Sequence, residues 1–387
     1  MIKIGIVTGT RADFGLLART IYLLQNSPEF ETVVFACGTH LSPEYGMTIS
    51  ELKNRKVKNI VSIETLLSTQ SRSGIAKSVG LATISFADVF ERENLDCLLV
   101  LGDRYEILAA AQTALFLNIP IAHIHGGEIT EGAFDDAIRH SITKMANIHF
   151  PATTEFANRI LQLGESPHSI YVVGAPGIDN IVNEPRLSKD ALEKSLGFRL
   201  SSPLALVTYH PVTKTNSNEN DISPLIEAIK ENTNIHYIIT YPNADGEGKS
   251  IISQWETLLG YPNVQIVASL GFSRYLSIMC LVDIVIGNSS SGIIEAPSFQ
   301  IPTINIGTRQ KGRPRSTSVI DVPMSKAKIC EAITYCQKAP FKDSLINCKN
   351  PYGEGDAARK IVDTLTSVDL KKMHIKTFTD WNFHDQT

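Results

Sequence analysis

Near its start the sequence reads Ile2-Lys-Ile-Gly-Ile-Val-Thr8, followed by Gly9-Thr-Arg-Ala-Asp-Phe-Gly15, and this pattern points to the fold class. A short apolar run ends in a glycine turn, and a helical stretch follows over residues 15–25. Further apolar runs cover 32–37, 95–101, 120–124, 170–174, 204–208, 235–240, 264–269, 283–286 and 302–306. Short runs that do not alternate strictly are typical of strands buried on both faces of a parallel sheet. The sequence therefore predicts an α/β fold of βαβ units, with helices such as 104–117 and 136–146 between strands.

The length predicts two domains, because 387 residues exceed the roughly 250–300 that one core usually holds. Two blocks of strand and helix patterns meet in the turn-rich segment 176–203. We predict a first domain over 1–180, to which the tail 365–387 could return, and a second over 181–364. Both are expected to be Rossmann-like, doubly wound domains that face a cleft.

The charge balance excludes a protein that binds nucleic acid by bulk charge. Lys and Arg total 36 against 40 Asp and Glu, whereas phosphate neutralisation needs a basic face. The six cysteines form no C-x-x-C pair. No apolar run approaches the roughly 18–20 residues of a membrane span, and residues 1–8 do not resemble a signal peptide. We expect a cytoplasmic protein with no membrane or nucleic-acid partner.

Ligands of open α/β sheets bind beyond the carboxyl ends of the strands, so the residues there are the candidates for function. After the first strand, the turn from Gly9 to Gly15 could hold a phosphate at a helix N-terminus, with Arg11 as a planar cation. Its spacing matches neither the dinucleotide nor the Walker pattern, so an ordinary βα turn is the alternative.

Carboxylates and histidines follow the next strands. Asp103 comes after the run 95–101, where it either caps a helix or points a carboxylate into the cleft beside Arg104. The following strand leads into His123-Ile-His125-Gly-Gly-Glu128 and then Asp135-Asp-Ala-Ile-Arg-His140. His123 and His125 are two apart and are expected on one strand face. No Cys or H-E-x-x-H spacing completes a metal site, so the cluster favours acid–base chemistry.

The second half offers groups suited to a nucleotide. His210 follows the run 204–208 and is either structural or functional. The turn Gly287-Asn-Ser-Ser-Ser-Gly292 could wrap a diphosphate with N–H and hydroxyl donors, and Glu295 could accept both ribose hydroxyls. Arg309 supplies a cation after a further strand. The stretch 241–250 resembles a P-loop, but Asn243 stands where that pattern requires Gly, which argues against an ATPase.

Taken together, these motifs are more specific than any one of them. From about Ile2 to Ser318 the chain resembles the UDP-N-acetylglucosamine 2-epimerase family, and most closely its hydrolysing branch in bacterial sialic-acid-type sugar synthesis. The motifs that carry the resemblance are Gly9-Thr-Arg-Ala-Asp-Phe-Gly15, Gly102-Asp-Arg104, His125-Gly-Gly-Glu128, Asp135-Asp-Ala-Ile-Arg-His140, His210-Pro-Val-Thr213, Gly287-Asn-Ser-Ser-Ser-Gly292 and Gly307-Thr-Arg-Gln310.

The resemblance implies a glycosyltransferase-B-like fold with the nucleotide sugar between its two domains. It also implies a homodimer or homotetramer, and a reaction that needs no metal or cofactor. The implied catalytic residues are Asp103, His125, Glu128, Asp135 and His210, the last beside the departing UDP. The implied contacts to UDP or substrate are Arg11, Arg104, Asn243, Ser289, Ser290, Ser291, Gly292, Glu295 and Arg309, with Glu295 at the ribose and Arg11, Ser289, Ser290 and Arg309 at the diphosphate.

One position departs from the family pattern. Many relatives read His-Ile-Glu-Gly-Gly-Glu, whereas this chain places His125 at the position of the first glutamate. The loop from there to Asp135 is also one residue longer. Either His125 acts as the acid or base, or Glu128 or Glu131 takes that part.

The resemblance implies that UDP-N-acetylglucosamine and water become N-acetylmannosamine and UDP through a 2-acetamidoglucal. The nearest alternative is the same reaction on UDP-2,4-diacetamido-2,4,6-trideoxyglucose, in legionaminic-acid synthesis. A non-hydrolysing epimerase, a glycosyltransferase on the same fold and a non-catalytic nucleotide-sugar sensor are further alternatives.

Overall fold

The structure is a computed structural model that describes residues 1–67, 71–129, 134–212, 220–242, 248–373 and 375–380. The chain divides into two compact units. The first unit consists of Met1–Asn180 together with Tyr352–Thr387, and the second consists of Ile181–Pro351. No helix within these described ranges combines the length and the apolar character that a membrane span requires.

The first unit is built on a parallel sheet of six described strands. Their order is β3-β2-β1-β4-β5-β6, so the chain runs outward from β1 to β3 and then returns to β1's other side. This reversal makes the β1–β4 junction the topological switch point, where ligands of such sheets bind. The strands are β1 (Ile2–Thr8), β2 (Phe30–Ala36), β3 (Ile60–Ser62), β4 (Cys97–Leu101), β5 (Ile121–Ile124) and β6 (Ile148–Phe150).

Helices cover both faces of this sheet, and their apolar sides form two cores. On one face, Ile4 and Ile6 of β1 pack with Leu17 and Ile21, while on the other Val7 belongs to a separate core. The first helix begins with a capping box, in which Thr10 and Asp13 bind each other's backbone N–H. The helices are α1 (Arg11–Gln25), α2 (Ile49–Asn54), α3 (Arg72–Glu93), α4 (Tyr105–Phe116), α5 (Phe134–Met145), α6 (Thr154–Gln162) and α7 (Pro176–Asn183).

The second unit repeats the plan with strand order β12-β11-β10-β7-β8-β9, all parallel. Its switch point lies between β7 and β10. The strands are β7 (Leu204–Thr208), β8 (His236–Thr240), β9 (Val264–Val267), β10 (Ile284–Gly287), β11 (Thr303–Ile306) and β12 (Val319–Val322). The helices are α8 (Lys189–Leu196), α9 (Ser223–Glu231), α10 (Gly248–Glu256), α11 (Gly271–Met279), α12 (Ser290–Ile294), α13 (Lys326–Cys336) and α14 (Ala339–Ser344).

The chain returns to the first unit earlier than the sequence predicted. Residues 352–364, which we predicted in the second domain, lie in the first unit. The Asp179 carboxylate accepts the N–H groups of Ala357 (3.0 Å) and Ala358 (2.7 Å) at the start of α15 (Ala357–Ser367). Ile361 of α15 is fully buried in the core that contains α1. This cap and this packing hold the returning helix to the first unit.

The predicted strand over 170–174 is wrong. Only Ile170 forms a single bridge, to His149, and the following residues run as an irregular segment. The strand β6 at 148–150 takes the edge position instead, and the sequence patterns missed it together with β3 and β12.

Candidate active site

Asp103 lies immediately beyond β4, at the switch point of the first unit. Gly102 turns the chain there with a positive φ of 77°, and Arg104, not Asp103, is the N-cap residue of α4. The capping interpretation of Asp103 is therefore wrong. Its carboxylate instead accepts a hydrogen bond from the Arg139 guanidinium on α5, whose side chain is only 7% exposed. This ion pair fixes the position of the Asp103 side chain beside a cation.

His123 is a structural residue. Its imidazole is fully buried, with Nε2 2.8 Å from the Gly102 carbonyl and Nδ1 3.2 Å from the Thr143 hydroxyl. Burial lowers the pKa of His123 to about 3, so the ring is neutral. The Nε2–H of His123 donates to the Gly102 carbonyl and so supports the turn that precedes Asp103. In the described ranges no three or more His, Cys, Asp or Glu residues are grouped as metal ligands would be.

His125 does not share a strand face with His123, and that expectation is wrong. β5 ends at Ile124, and His125 follows in the left-handed region with φ 64°. There its Nδ1 lies 2.5 Å from Oε1 of Glu128. A carboxylate oxygen accepts, so this contact assigns the donor role to the Nδ1–H and leaves Nε2 outside the pair. The structure thus joins two of the three groups that the sequence left open, whereas Glu131 lies outside the described residues.

Asp135 stands in the first turn of α5, in a different environment from Asp103. Burial and then the Asp103 carboxylate raise the pKa of Asp135, while Arg104 and Arg139 act against that rise. Two carboxyl groups whose surroundings differ in this way suit opposite tasks in proton transfer.

Arg104 is held by Glu106, a residue that the sequence did not single out. Its Nε and Nη2 donate to Oε1 of Glu106 at 3.3 and 3.2 Å, and Glu106 is only 1% exposed. Arg139 was omitted as well. Arg139 lies in the motif Asp135-Asp-Ala-Ile-Arg-His140 and follows Asp135 by four residues, the spacing that puts two side chains on one helix face.

In the glycine turn after β1, backbone N–H groups are bonded to a side chain of α1, the helix that follows. The N–H groups of Gly9 and Thr10 donate to the Asp13 carboxylate at 2.8 and 2.7 Å. Arg11 is exposed, and its Nε lies 2.9 Å from Glu51. A phosphate contact from Arg11 remains a prediction, and it would require Arg11 to exchange Glu51 for the ligand.

In the second unit, Asn288 organises the strand ends at the switch point. Its side chain is fully buried and accepts the His210 N–H at 2.7 Å while donating to the His210 carbonyl at 2.8 Å. The backbone carbonyl of Asn288 accepts hydrogen bonds from the side chains of Arg309 at 3.2 Å and Gln310 at 2.8 Å. Asn288 therefore brings two predicted site residues, His210 and Arg309, to one place.

The serine turn follows β10 as predicted. Gly287 is required there, because a Cβ atom would lie 1.9 Å from the Thr208 carbonyl oxygen. Ser289 caps α12, and its Oγ lies 3.0 Å from that of Ser291. Ser290 and Gly292 belong to the first turn of the short helix.

Glu295 ends α12 beside the phenol of Tyr275 on α11. Burial raises the pKa of Glu295, and burial together with the neighbouring Glu295 raises the pKa of Tyr275. A carboxylate in such surroundings gains from hydroxyl donors. The remaining candidate, Asn243, lies outside the described residues.

Two units, each built on a doubly wound parallel sheet of six described strands with flanking helices, form a glycosyltransferase-B-like fold. The family model described as UDP-N-acetylglucosamine 2-epimerase matches residues 23–366, and the chain belongs to this family.

The chain is 38% identical over 386 residues to a GDP/UDP-N,N'-diacetylbacillosamine 2-epimerase (hydrolyzing) of Campylobacter jejuni, covering 99% of each chain. It is 36% identical to a UDP-N,N'-diacetylbacillosamine 2-epimerase (hydrolyzing) of Legionella pneumophila, covering 95% of this chain and 96% of that one. A crystal structure of UDP-GlcNAc 2-epimerase from Neisseria meningitidis bound to UDP-GlcNAc superposes with a TM-score of 0.81 at 23% identity. It covers 95% of this chain and 100% of that one, a similarity that shows the fold.

Proposed function

We propose that this chain is a hydrolysing 2-epimerase of UDP-N,N'-diacetylbacillosamine, which is UDP-2,4-diacetamido-2,4,6-trideoxyglucose. We infer the identity of the substrate from the similarity, over nearly the whole length, to two relatives whose names state this activity. The sequence favoured UDP-N-acetylglucosamine and kept the diacetamido sugar as its alternative. The relatives support that alternative better.

The chemistry has two steps that need no external oxidant or reductant. A base removes the proton from C2 while the bond from C1 to the UDP oxygen breaks, which leaves a C1–C2 double bond. Water then adds its oxygen to C1, and a proton returns to C2 from the opposite face. The products are UDP and the free sugar with inverted C2, so atoms balance as substrate plus one water.

The first unit supplies groups for both proton transfers. We assign Asp135 to proton donation, because its raised pKa favours the protonated form relative to an ordinary aspartate. We assign His125 to proton abstraction through Nε2, with Glu128 on Nδ1 to orient the ring and stabilise its charged form. Asp103, whose carboxylate is held by Arg139, is assigned to the reacting centre.

The second unit supplies the site for UDP in this proposal. Ser289, Ser290 and Arg309 are assigned to the diphosphate and Glu295 to the ribose. His210 is assigned to the oxygen that carries the developing charge as UDP leaves. The support is that Asn288 and the turn after β10 gather these residues at one switch point.

The test is proton NMR in deuterated water, with the purified protein freed of metal by a chelator. UDP-N,N'-diacetylbacillosamine, UDP-N-acetylglucosamine and the GDP-linked diacetamido sugar are supplied separately, the last because one relative's name includes GDP. Release of UDP with the free 2-epimer deuterated at C2, fastest from the UDP-diacetamido sugar, is the expected result. Faster turnover of UDP-N-acetylglucosamine would restore the first sequence-based expectation. Retention of UDP on the product would show a non-hydrolysing enzyme.

A variant separates catalysis from binding. Asp103→Asn is expected to lower kcat by about 100-fold or more while UDP still binds. Glu155→Gln, at an exposed position of α6, is the matched control and should leave kcat unchanged. Full activity in Asp103→Asn would remove Asp103 from the catalytic residues. Sedimentation of the wild type tests the expected homodimer or homotetramer.

A further inference from the structure

The last described residues, 375–380, form a segment docked on the first unit, which we call the C-terminal strap. The Thr379 N–H donates to the Gly164 carbonyl at 2.9 Å. The Phe378 ring lies against Gly164, where a Cβ atom would come within 2.3 Å of it. The Lys144 ammonium lies 4.6 Å from the centre of the same ring, within cation–π distance. The strap therefore has a defined seat beside the C-terminal end of α5.

Lys376 is the part of the strap that enters the protein. Its ammonium donates to the carbonyls of Lys144 at 2.5 Å, Ala146 at 2.6 Å and Thr143 at 3.5 Å. Thr143 and Lys144 lie in the last turn of α5 and Ala146 directly follows the helix, so these carbonyls belong to the end that carries partial negative charge. Lys376 thus caps α5 from a position more than 200 residues later in the chain.

A buried carboxylate fixes this cap. Glu165 is 2% exposed, and its oxygens lie 2.7 Å from Lys376, 2.8 Å from Lys144 and 3.1 Å from His149. Burial alone would raise the pKa of Glu165, but hydrogen bonds from His149, Lys144 and Lys376 outweigh it and lower that pKa to about 2. Glu165 is therefore an anion that holds the lysine at the helix end.

The capped helix carries or contacts both carboxylates assigned to the reaction. Asp135 stands in the first turn of α5, and Arg139, one turn later, binds Asp103. Near the capped end, the Thr143 hydroxyl contacts His123, whose other nitrogen holds the carbonyl before Asp103. A shift of α5 would therefore change the position of Asp135 relative to Asp103.

We propose that Lys376 is a positioning residue, which locks α5 against the Gly102 turn and so fixes the spacing between Asp103 and Asp135. The inference rests on the proposed roles of these two carboxylates. Lys376 itself touches neither of them. Its effect passes through α5 and through the contact from Thr143 to His123.

The test replaces the charge and keeps the stem, in the full-length chain. Lys376→Met leaves Glu165 with Lys144 and His149, so no buried carboxylate loses all its partners. We expect kcat to fall about tenfold, since small displacements of reacting groups are costly, while KM changes by less than about twofold. Lys376→Arg should recover most of the kcat. Lys372→Met, which removes an exposed ion pair with Asp369 just before the strap, is the matched control and should behave as wild type.

A role in stability alone gives a different result. If Lys376→Met lowers Tm but leaves kcat unchanged, the lysine is only a cap and the proposal is overturned. Hydrogen exchange over residues 134–140 provides a readout that needs no substrate, and it should be faster in Lys376→Met. Unchanged exchange over residues 134–140 overturns the proposal, whether or not the wild type turns over a substrate. A wild type that turns over no substrate would count against the proposed function alone. If Lys376→Met does not fold, Lys376→Gln, which keeps a donor for the carbonyls, takes its place in both measurements.

Discussion

The imidazole of His125 and the carboxylate of Glu128 form a pair, with Nδ1 2.5 Å from Oε1. The pair depends on the backbone, because His125 sits at φ 64° and two glycines separate it from Glu128. Few residues other than Gly, Asn, Asp and His adopt that region readily. Both side chains are largely buried, at 17% and 14% exposure. Just beyond β5 this chain therefore has a histidine with a carboxylate hydrogen-bonded behind it.

We predict that this pair acts as a unit in catalysis. His125→Asn, which suits the left-handed backbone but removes the ring, should lower kcat by about 100-fold or more. Glu128→Gln keeps the shape and loses the charge, and it should lower kcat by about tenfold or more. Steady-state kinetics on the UDP-diacetamido sugar measure both. The double variant should be little worse than His125→Asn, and additive losses would argue against a pair.

The turn behind this pair should tolerate no side chain at Gly127. A Cβ atom there would lie 2.3 Å from the Phe156 carbonyl oxygen, and φ is 78°. Gly127→Ala should lower the free energy of unfolding by about 3 kcal/mol or more. Gly46→Ala is the control, because Gly46 has φ 85° but open space around it, and it should cost only about 1 kcal/mol. Equal losses in urea unfolding would show that the backbone angle alone is responsible.

The raised pKa of Asp135 predicts a stability effect with a definite sign. The folded chain binds the proton more tightly than the unfolded chain, so stability falls as pH rises through the raised pKa. Asp135→Asn should therefore raise Tm at pH 7, by about 1–3 °C, while lowering activity. The gain should shrink as pH approaches the ordinary aspartate pKa. Asp88→Asn, on the exposed face of α3, is the control, and a lower Tm for Asp135→Asn at pH 7 would contradict the prediction.

The sequence predicted the alternation of strands and helices well but missed three short strands, β3, β6 and β12. β3 and β6 have three residues each, too few to show a period. The run 170–174 is apolar because Val173 is buried in the core, not because it pairs in a sheet. Composition alone does not distinguish these two reasons for burial. The early return of the chain at Tyr352 depends on the Asp179 cap, a contact between positions far apart in sequence.

The sequence indicated which residues follow the strands, but it did not indicate which side chains they contact. Strand-end reasoning selected Asp103, Asp135 and the serine turn as candidates, since it needs only the ends of apolar runs. It missed Arg139 and Asn288, whose importance comes from what they contact across the sheet edge. It also placed His125 on a strand that ends one residue earlier. Backbone angles and tertiary contacts of this kind are fixed by the fold as a whole.

Asn288 holds His210 through two hydrogen bonds of its side chain, and its backbone carbonyl accepts a hydrogen bond from Arg309. Asn288→Ala leaves two backbone groups of His210 without these partners, and the free energy of unfolding should fall by about 2–3 kcal/mol. The proposed UDP site should suffer as well, with affinity for UDP weakened about tenfold in calorimetric titration.

Asn263→Ala is the matched control for this variant. Asn263 is buried in the same unit and donates to the Ile235 carbonyl at 2.9 Å, but it precedes β9 and so lies at the opposite edge of the sheet. Its loss should lower stability without changing UDP affinity. If both variants weaken UDP binding equally, the loss reflects general destabilisation. If Asn288→Ala binds UDP as the wild type does, the nucleotide does not depend on the strand ends that Asn288 gathers.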